Sequence, residues 1–475
     1  MDSYDVAILG AGPGGYVAAI RGAQLGAKVC VIERDEVGGT CLNWGCIPTK
    51  TLIASVRALE TARGGEEYGF GSEGGVSARF ERMMDRKDEV VSRQVKGIQS
   101  LLKRYGVMVY YGNGKLVDTR TVEIMHRQGS RDRVAAEKII LATGSRPSGV
   151  PGVDIDGDAV LSSNEALALR EVPKSLLVIG AGAVGCEFAS LFHGLGSDVT
   201  MVELLPRAVP MEDAEISQTL ERELKKQRIK LIVQTSVQSV ARQDGGRIVA
   251  RLAGGREIAV DKVLVSVGRA FNVDGIGLET VGIAKGQRGE IVVDEKLETS
   301  VEGIYAIGDV IGGMMLAHVA SREGIVAVEN ALGGDERIDY SAVPACIFSH
   351  PEIASVGLKE KEAVDKGRRV RVGRFQMRGV GMAHALGELS GFMKVIADAD
   401  TDHVLGVHMI GSHVTEIVHE AVLALQARLT AGEWAKVVHA HPTMSEALQE
   451  AIHDLRGSAI HAPPKGSTQE RRLTS

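Results

Sequence analysis

An α/β fold built on two βαβ units and closed by a C-terminal α+β domain with an antiparallel sheet is predicted by three observations. Two short apolar runs, YDVAIL at 4–9 and SLLVI at 175–179, each feed a glycine loop. Each loop opens helical sequence and then a second apolar strand that ends in an acid. Beyond about residue 344 such loops stop, and apolar residues alternate with polar ones instead.

The first loop reads GAGPGG, with Gly10, Gly12 and Gly15; the second reads GAGAVG, with Gly180, Gly182 and Gly185. KVCVIE ends at Glu33 and DVTMVE ends at Glu203, each acid 23 residues after the first glycine and 18 after the third. In this pattern the first glycine makes the turn and the second lets backbone N–H groups approach a pyrophosphate. The third lets helix and strand pack closely, and the acid accepts ribose hydroxyls. The helix start adds a favourable field for phosphate. Two such units predict two Rossmann-like dinucleotide sites.

Three further strands ending in glycine turns fit around them: KIILATG at 138–144, KVLVSVGR at 262–269, and GIYAIGD at 303–309, which ends in Asp309. In the C-terminal part, GFMKVIADAD and HVLGVHMIG show the period-2 alternation of an antiparallel sheet, flanked by helical sequence such as 415–428. Residues 463–475, PPKGSTQERRLTS, have the composition of a polar disordered tail.

Length and composition set the frame. With 475 residues the chain is long enough for several domains. A net charge of −6 argues against nucleic acid or an anionic membrane as partner. No apolar run reaches the eighteen or so residues of a membrane span. The N-terminus enters strand sequence without a basic start or cleavage site, so a cytoplasmic protein is expected. Five cysteines do not make a disulfide scaffold; a close pair suggests catalysis or metal binding.

That pair is Cys41 and Cys46 in GGTCLNWGCIPTK, just after the first unit. In a regular helix, residues five apart have Cα atoms about 8–9 Å apart. A disulfide needs no more than about 7 Å. Pairing therefore requires a bend, which Gly45 permits. Pro48 suits a first helical turn, which puts Cys46 near a helix start, where the dipole favours thiolate. Two ordinary buried thiols, or half of a zinc site, are the competing readings; zinc would need two more ligands. Lys50 falls one turn after Cys46 on the same face. Cys30, Cys186 and Cys346 lie in apolar sequence and read as packing residues.

HAHPTMSE, from His439 to Glu446, is the other concentrated polar cluster. Thiol–disulfide exchange needs a base for the attacking thiol and an acid for the leaving one. His441, with Glu446 to hold its tautomer, matches that need. Spacing alone does not bring this cluster to the cysteines.

Taken in order, GAGPGGY, GGTCLNWGCIPTK, ATG at 142–144, GAGAVGCEFAS, SVGR, AIGDV, MLAHVASREG, SHPEIASVG and HAHPTMSE resemble the flavin-dependent pyridine nucleotide–disulfide oxidoreductases. The resemblance runs from about residue 4 to about 462, and within the family it favours members that oxidise protein-bound dihydrolipoamide with NAD+. It implies an FAD-binding domain at 1–148, an NAD-binding domain at 149–271, a central segment at 272–343 completing the FAD domain, and a dimerisation domain at 344–462. Gly10, Gly12, Gly15 and Glu33 would bind the adenylate half of FAD and Asp309 its ribityl chain. Gly114, Thr143, Gly144, Met315, Leu316, Ala317 and His318 would complete that site. Cys41 would be the interchange thiol, Cys46 the charge-transfer thiol against the flavin, and Lys50 with Glu187 an ion pair beside the reactive flavin nitrogen. Gly180, Gly182, Gly185, Glu203 and Gly268 would hold NAD. No metal is implied.

The resemblance also implies a homodimer in which His441 and Glu446 act on Cys41 of the other subunit. Lipoyl domains of acyltransferases or glycine-cleavage carrier proteins would be the substrates. Thr49 where serine is common, and Trp44 between the cysteines, depart from the usual pattern without removing a reacting group. Glu203 repels a 2′-phosphate, which points to NAD rather than NADP. Another disulfide reductase of the family, or a mainly structural flavoprotein subunit, are the alternatives.

Overall fold

Buried parallel strands need apolar residues on both faces, and the chain supplies them where the glycine loops predict. The computed structural model describes residues 1–71, 73–243 and 246–463. The predicted tail falls outside them except for Pro463. Two compact units result: residues 1–179, 191–198 and 237–339 form the first, and residues 180–190, 199–236 and 340 onward the second.

In the first unit a parallel core runs Met108–Tyr111, Val29–Glu33, Asp2–Leu9, Arg131–Leu141. Ile304–Ala306 joins Arg131–Leu141 in parallel, and Thr121–Met125 and Asn113–Leu116 extend the sheet antiparallel. The register Val6↔Val29 and Val6↔Lys138 brings the strand ends before Gly10 and Ala142 level. One face packs the helices Pro13–Gln24 and Ala317–Ala331, whose Ala18, Ala19, Val326 and Ala327 are buried among Val6, Ile8, Val31 and Ile140. Glycine makes that packing close: a Cβ at Gly324 would stand 2.4 Å from the Gly14 carbonyl oxygen. The same unit holds a parallel set, Ser175–Ile179, Lys262–Val265 and Val160–Leu161, and an antiparallel sheet of Val237–Arg242, Ile248–Leu252 and Glu257–Val260. The strand expected at 262–269 with its glycine turn runs Lys262–Val265. Gly268 follows at φ +138°, and Arg269–Phe271 pairs with Ser145–Pro147.

In the second unit Asp198–Val202 pairs in parallel with Lys230–Ile232. A five-stranded antiparallel sheet runs Ala345–Ile347, Glu352–Gly357, Val404–Gly411, Phe392–Asp398, Val370–Gln376. The helices Val414–Gln426 and Glu446–Leu455 share its main core, with Met393, Val395, Val407 and Met409 facing Val418, Ala421, Leu448 and Ile452. The alternation in GFMKVIADAD has an unexpected basis: Phe392–Asp398 is buried throughout, not on one face. Lys394, only 1% exposed, reaches Asp213 (2.9 Å), Glu215 (2.8 Å) and Glu360 (2.8 Å). Asp213 and Glu215 begin the helix Ala214–Lys226, so a buried ion hub joins that helix to the sheet. Among the described residues, no helix is long and apolar enough to cross a membrane.

Candidate active site

The first glycine loop sits where the parallel strands Asp2–Leu9 and Arg131–Leu141 end. Gly10 has φ +104°, and a Cβ there would meet the Ala142 carbonyl oxygen at 2.2 Å. One at Gly15 would stand 1.9 Å from the Gly10 oxygen. At Gly12 the same test finds open space within 4 Å. Two glycines are therefore fixed by the chain's own packing, while the third borders room for something else. Gly12 also precedes the helix Pro13–Gln24, whose start carries no side-chain cap, leaving N–H groups for a ligand. Glu33, at the end of its strand, accepts the N–H groups of Ala11 (2.7 Å) and Asp35 (2.7 Å). Burial raises its carboxyl above the ordinary range, and those two N–H groups oppose the rise.

The other residues expected around the flavin gather here. Gly114 lies against Ile32 and Leu9 at the strand ends. The Thr143 hydroxyl donates to the Asn272 carbonyl (2.8 Å), and Gly144 turns the chain at φ +68°. Asp309 accepts from the Ser145 hydroxyl and lies 3.4 Å from the Arg269 Nε. Met315 has φ +48°, Leu316 precedes the helix Ala317–Ala331, and His318 stands in its first turn.

From this loop the chain runs directly to the cysteines. A Cβ at Gly39 would stand 2.7 Å from the Gly12 Cα, so the helix Gly39–Trp44, bearing Cys41, begins against the glycine loop. Gly45 then breaks the path at φ −144°, ψ −111°, and Cys46 opens the helix Cys46–Arg63. A side chain at Gly45 would meet the Thr40 carbonyl oxygen at 2.9 Å, so the bend needs glycine. Across this bend the Cys41 and Cys46 side chains meet in a hydrogen bond. That bond, then burial, pushes the Cys41 thiol far up, and the nearby Lys50 charge opposes the rise. Cys30 and Cys186 are fully buried, and burial raises both thiols, the first to about 12. Cys346 is partly buried against the core of the second unit.

The second glycine loop repeats the first. Gly180 has φ +100° and donates its N–H to the Val202 carbonyl (2.8 Å). Gly182 borders open space and Gly185 is buried. Glu203 accepts the N–H groups of Ala181 (2.7 Å) and Leu205 (2.8 Å). The guanidinium of Arg207 donates to the carbonyls of Pro210 (3.1 Å) and Glu212 (3.3 Å). Buried Glu187 accepts the Phe348 N–H at 2.9 Å. Lys50 and Gly268 belong to the first unit and Glu187 to the second.

In the C-terminal cluster His441 Nδ1 lies 2.8 Å from Glu446 Oε1, and Glu446 Oε2 accepts the Thr443 N–H (2.9 Å). The first turn of the helix Glu446–Leu455 supplies the acid. Burial acts to raise the Glu446 carboxyl, but the Thr443 N–H and His441 outweigh it and hold the group below its usual range. The His441 side chain is 76% exposed. Sequence reasoning missed Glu420, which receives Trp434 Nε1 (2.7 Å) and faces His439 Nε2 (2.9 Å). Its one signal was a carboxylate, next to His419, inside the mostly apolar run of 417–425.

Comparisons agree with this geometry. The sequence pattern described as pyridine nucleotide-disulphide oxidoreductase matches residues 4–324, and that of the dimerisation domain matches 343–452. Dihydrolipoyl dehydrogenase of Bacillus subtilis is 44% identical over 471 residues, covering 96% of this chain and 99% of its own length. The protein of the same name from Chlorobaculum tepidum is 42% identical, covering 95% and 97%. The crystal structure of LpdA from Mycobacterium tuberculosis matches with a TM-score of 0.89 at 30% identity, covering 96% of this chain and all of its own. With both patterns in place over nearly its whole length, the chain belongs to the pyridine nucleotide-disulphide oxidoreductase family, whose enzymes work with FAD and NAD.

Proposed function

We propose that this chain is a dihydrolipoyl dehydrogenase, oxidising the dithiol of a protein-borne dihydrolipoyl group to its cyclic disulfide with NAD+ as final acceptor. The observation that carries the reading is the contact between the Cys41 and Cys46 side chains, set beside the first glycine loop by a glycine-dependent bend. Relatives at 42–44% identity that bear this name support it.

The residues present fit two dinucleotides. Gly12 and Gly182 border open space at helix starts, and each unit has a buried carboxylate at the expected distance. Gly10, Gly12, Gly15, Glu33, Gly114, Thr143, Gly144, Asp309 and residues 315–318 would hold FAD. Gly180, Gly182, Gly185, Glu203 and Gly268 would hold NAD. Lys50 and Glu187 would flank the reactive flavin nitrogen. When bound, FAD supplies the two-electron acceptor that returns the dithiol to a disulfide and hands a hydride to NAD+.

The chain's own residues account for the sulfur chemistry. The Glu446 carboxylate faces Nδ1 of His441, which fixes the proton there and leaves Nε2 as the base. His441 takes a proton from one substrate thiol, and the thiolate attacks Sγ of Cys41 in the oxidised pair. The Cys41–Cys46 bond breaks as a mixed disulfide forms, and Cys46 leaves as thiolate. The second substrate thiol then gives up its proton as it attacks its neighbour's sulfur; Cys41 departs with the proton held by His441, and His441 receives the second one. The dihydrolipoyl group has lost two electrons and two protons, and the cysteine pair has gained both electrons.

A homodimer built on the dimerisation domain at 343–452 would let His441 of one subunit serve Cys41 of the other. Lipoyl domains of acyltransferases or of a glycine-cleavage carrier are the proposed protein substrates. A cytoplasmic location suits a dithiol that must cycle through its reduced form. The four-part division at 148, 271 and 343 is our assignment of these roles along the chain.

The deciding experiment assays purified protein with dihydrolipoamide plus NAD+, and in parallel with glutathione disulfide plus NADPH. Rapid NADH formation in the first assay is expected. Turnover confined to the second would replace the proposed substrate with another disulfide.

A further inference from the structure

Besides the glycine loops, the first unit holds a cavity of about 450 Å³ that none of the residues assigned to FAD or NAD lines. It lies beside the paired strands Ser145–Pro147 and Arg269–Phe271. Arg146, Arg269 and Arg288 line it, and Asp274 is the one acid among its described lining residues. Phe271 and Val273, 8% and 9% exposed, add apolar surface. Two of the arginines also hold the chain together here. Arg146 donates to the Phe271 carbonyl (2.9 Å) and pairs with Asp274 (3.3 Å). Arg269 donates to the Ser145 hydroxyl (2.5 Å) and to the Ser145 carbonyl (2.9 Å). A guanidinium has five N–H groups, so each keeps donors to spare. Arg288 has no such employment. Its guanidinium lies 5.5 Å from the centre of the Phe271 ring and forms no ion pair among the described residues. Glu290, two residues on, accepts the Arg288 main-chain N–H (3.0 Å) instead.

We infer that this cavity binds a small phosphate-bearing molecule at a site separate from both dinucleotides. Like charges gathered around one cavity repel, and holding the chain together accounts for Arg146 and Arg269 but not for Arg288. Three cations against one carboxylate leave two positive charges unmatched in the lining. A phosphate group carries about −1.5 to −2 at pH 7 and offers three acceptor oxygens. Arginine suits it better than lysine would, because its planar fork sends two parallel N–H groups to two oxygens. The Phe271 ring faces the Arg288 guanidinium and so helps to hold it at the cavity. The volume falls within the roughly 300–1,000 Å³ of small-molecule sites. Asp274, its side chain 80% exposed, opposes an anion here, so its removal should strengthen binding.

The test is calorimetric titration of the FAD-loaded, full-length protein with pyrophosphate, with and without saturating NAD+. One molecule should bind per subunit, and NAD+ should not displace it. Arg288→Gln should weaken binding by about tenfold or more, the scale of a hydrogen bond to a charged group, with flavin absorbance per subunit unchanged. Asp274→Asn should tighten binding by about two- to threefold, as expected of an exposed charge. Absence of binding to the parent protein, displacement by NAD+, or full affinity in Arg288→Gln each overturns the inference. If Arg288→Gln fails to take up FAD, Asp274→Asn decides: tighter binding upholds the site, and unchanged binding overturns it.

Discussion

The two glycine units use the same backbone frame, yet the chain leaving each does different work. In both, the first glycine takes φ near +100° and donates to the end of the next strand at 2.8 Å. In both, the acid accepts the N–H of the alanine after that glycine at 2.7 Å. Each of those alanines returns its carbonyl, to Gly38 in one case and Val209 in the other, at 2.8 Å. Beyond that point they diverge. After Glu33 a glycine pair presses against Gly12 and delivers the two thiols within thirteen residues. After Glu203 the chain exposes Leu204 and then delivers Asp213 and Glu215 to the buried Lys394. On the proposed reading the frame binds, and the segment that follows decides between chemistry and anchorage.

Three substitutions would break or sharpen that contrast. The largest effect is expected from Cys46→Ser, which removes a reacting sulfur and leaves the first frame untouched. Turnover of dihydrolipoamide should fall to background while flavin absorbance per subunit is retained; an unchanged rate would show that the first exit segment does not carry the chemistry. Next is Lys394→Met, which keeps the volume but strands Asp213 without its cation. Breaking a buried pair from one side costs about 3–5 kcal/mol, so chemical denaturation should show a marked loss of stability, with little change in a subunit's affinity for FAD. An unaltered midpoint would mean the second exit segment does not anchor.

The smallest effect concerns Glu215. Burial acts to raise its carboxyl, but Arg374 and Lys394 outweigh it and hold the group down, to about 2 from an ordinary 4.5. A depressed carboxylate stabilises the fold above its unfolded value, and that contribution disappears as pH falls through the folded one. Glu215→Gln should therefore be less stable than the parent at pH 7, and the gap should close between about pH 4.5 and 2. A gap independent of pH would trace the loss to packing instead.

Much of this was legible in the sequence because it depends on local chemistry. A glycine with φ above zero, an acid at a fixed spacing and a cysteine beside a permissive glycine all leave marks along the chain. The C-terminal pair was legible for the same reason: His441 and Glu446 are five residues apart around a Pro-Thr turn. The Lys394 hub was not. A lysine among alternating apolar residues reads as the solvent side of a half-covered strand, and only the fold shows both faces of Phe392–Asp398 covered. Glu420 was hidden similarly, since its partners Trp434 and His439 follow 14 and 19 residues later, across a helix end.

The locked posture of Glu33 and Glu203 has a consequence for assembly. Each carboxylate is already gripped by two main-chain donors, one on each oxygen. A free glutamate gives up rotamer freedom worth up to about 2 kcal/mol when it is immobilised. Here that disorder is surrendered during folding, so a nucleotide bound as proposed would meet acceptors already aimed, and its association would draw on a receptor prepared in advance.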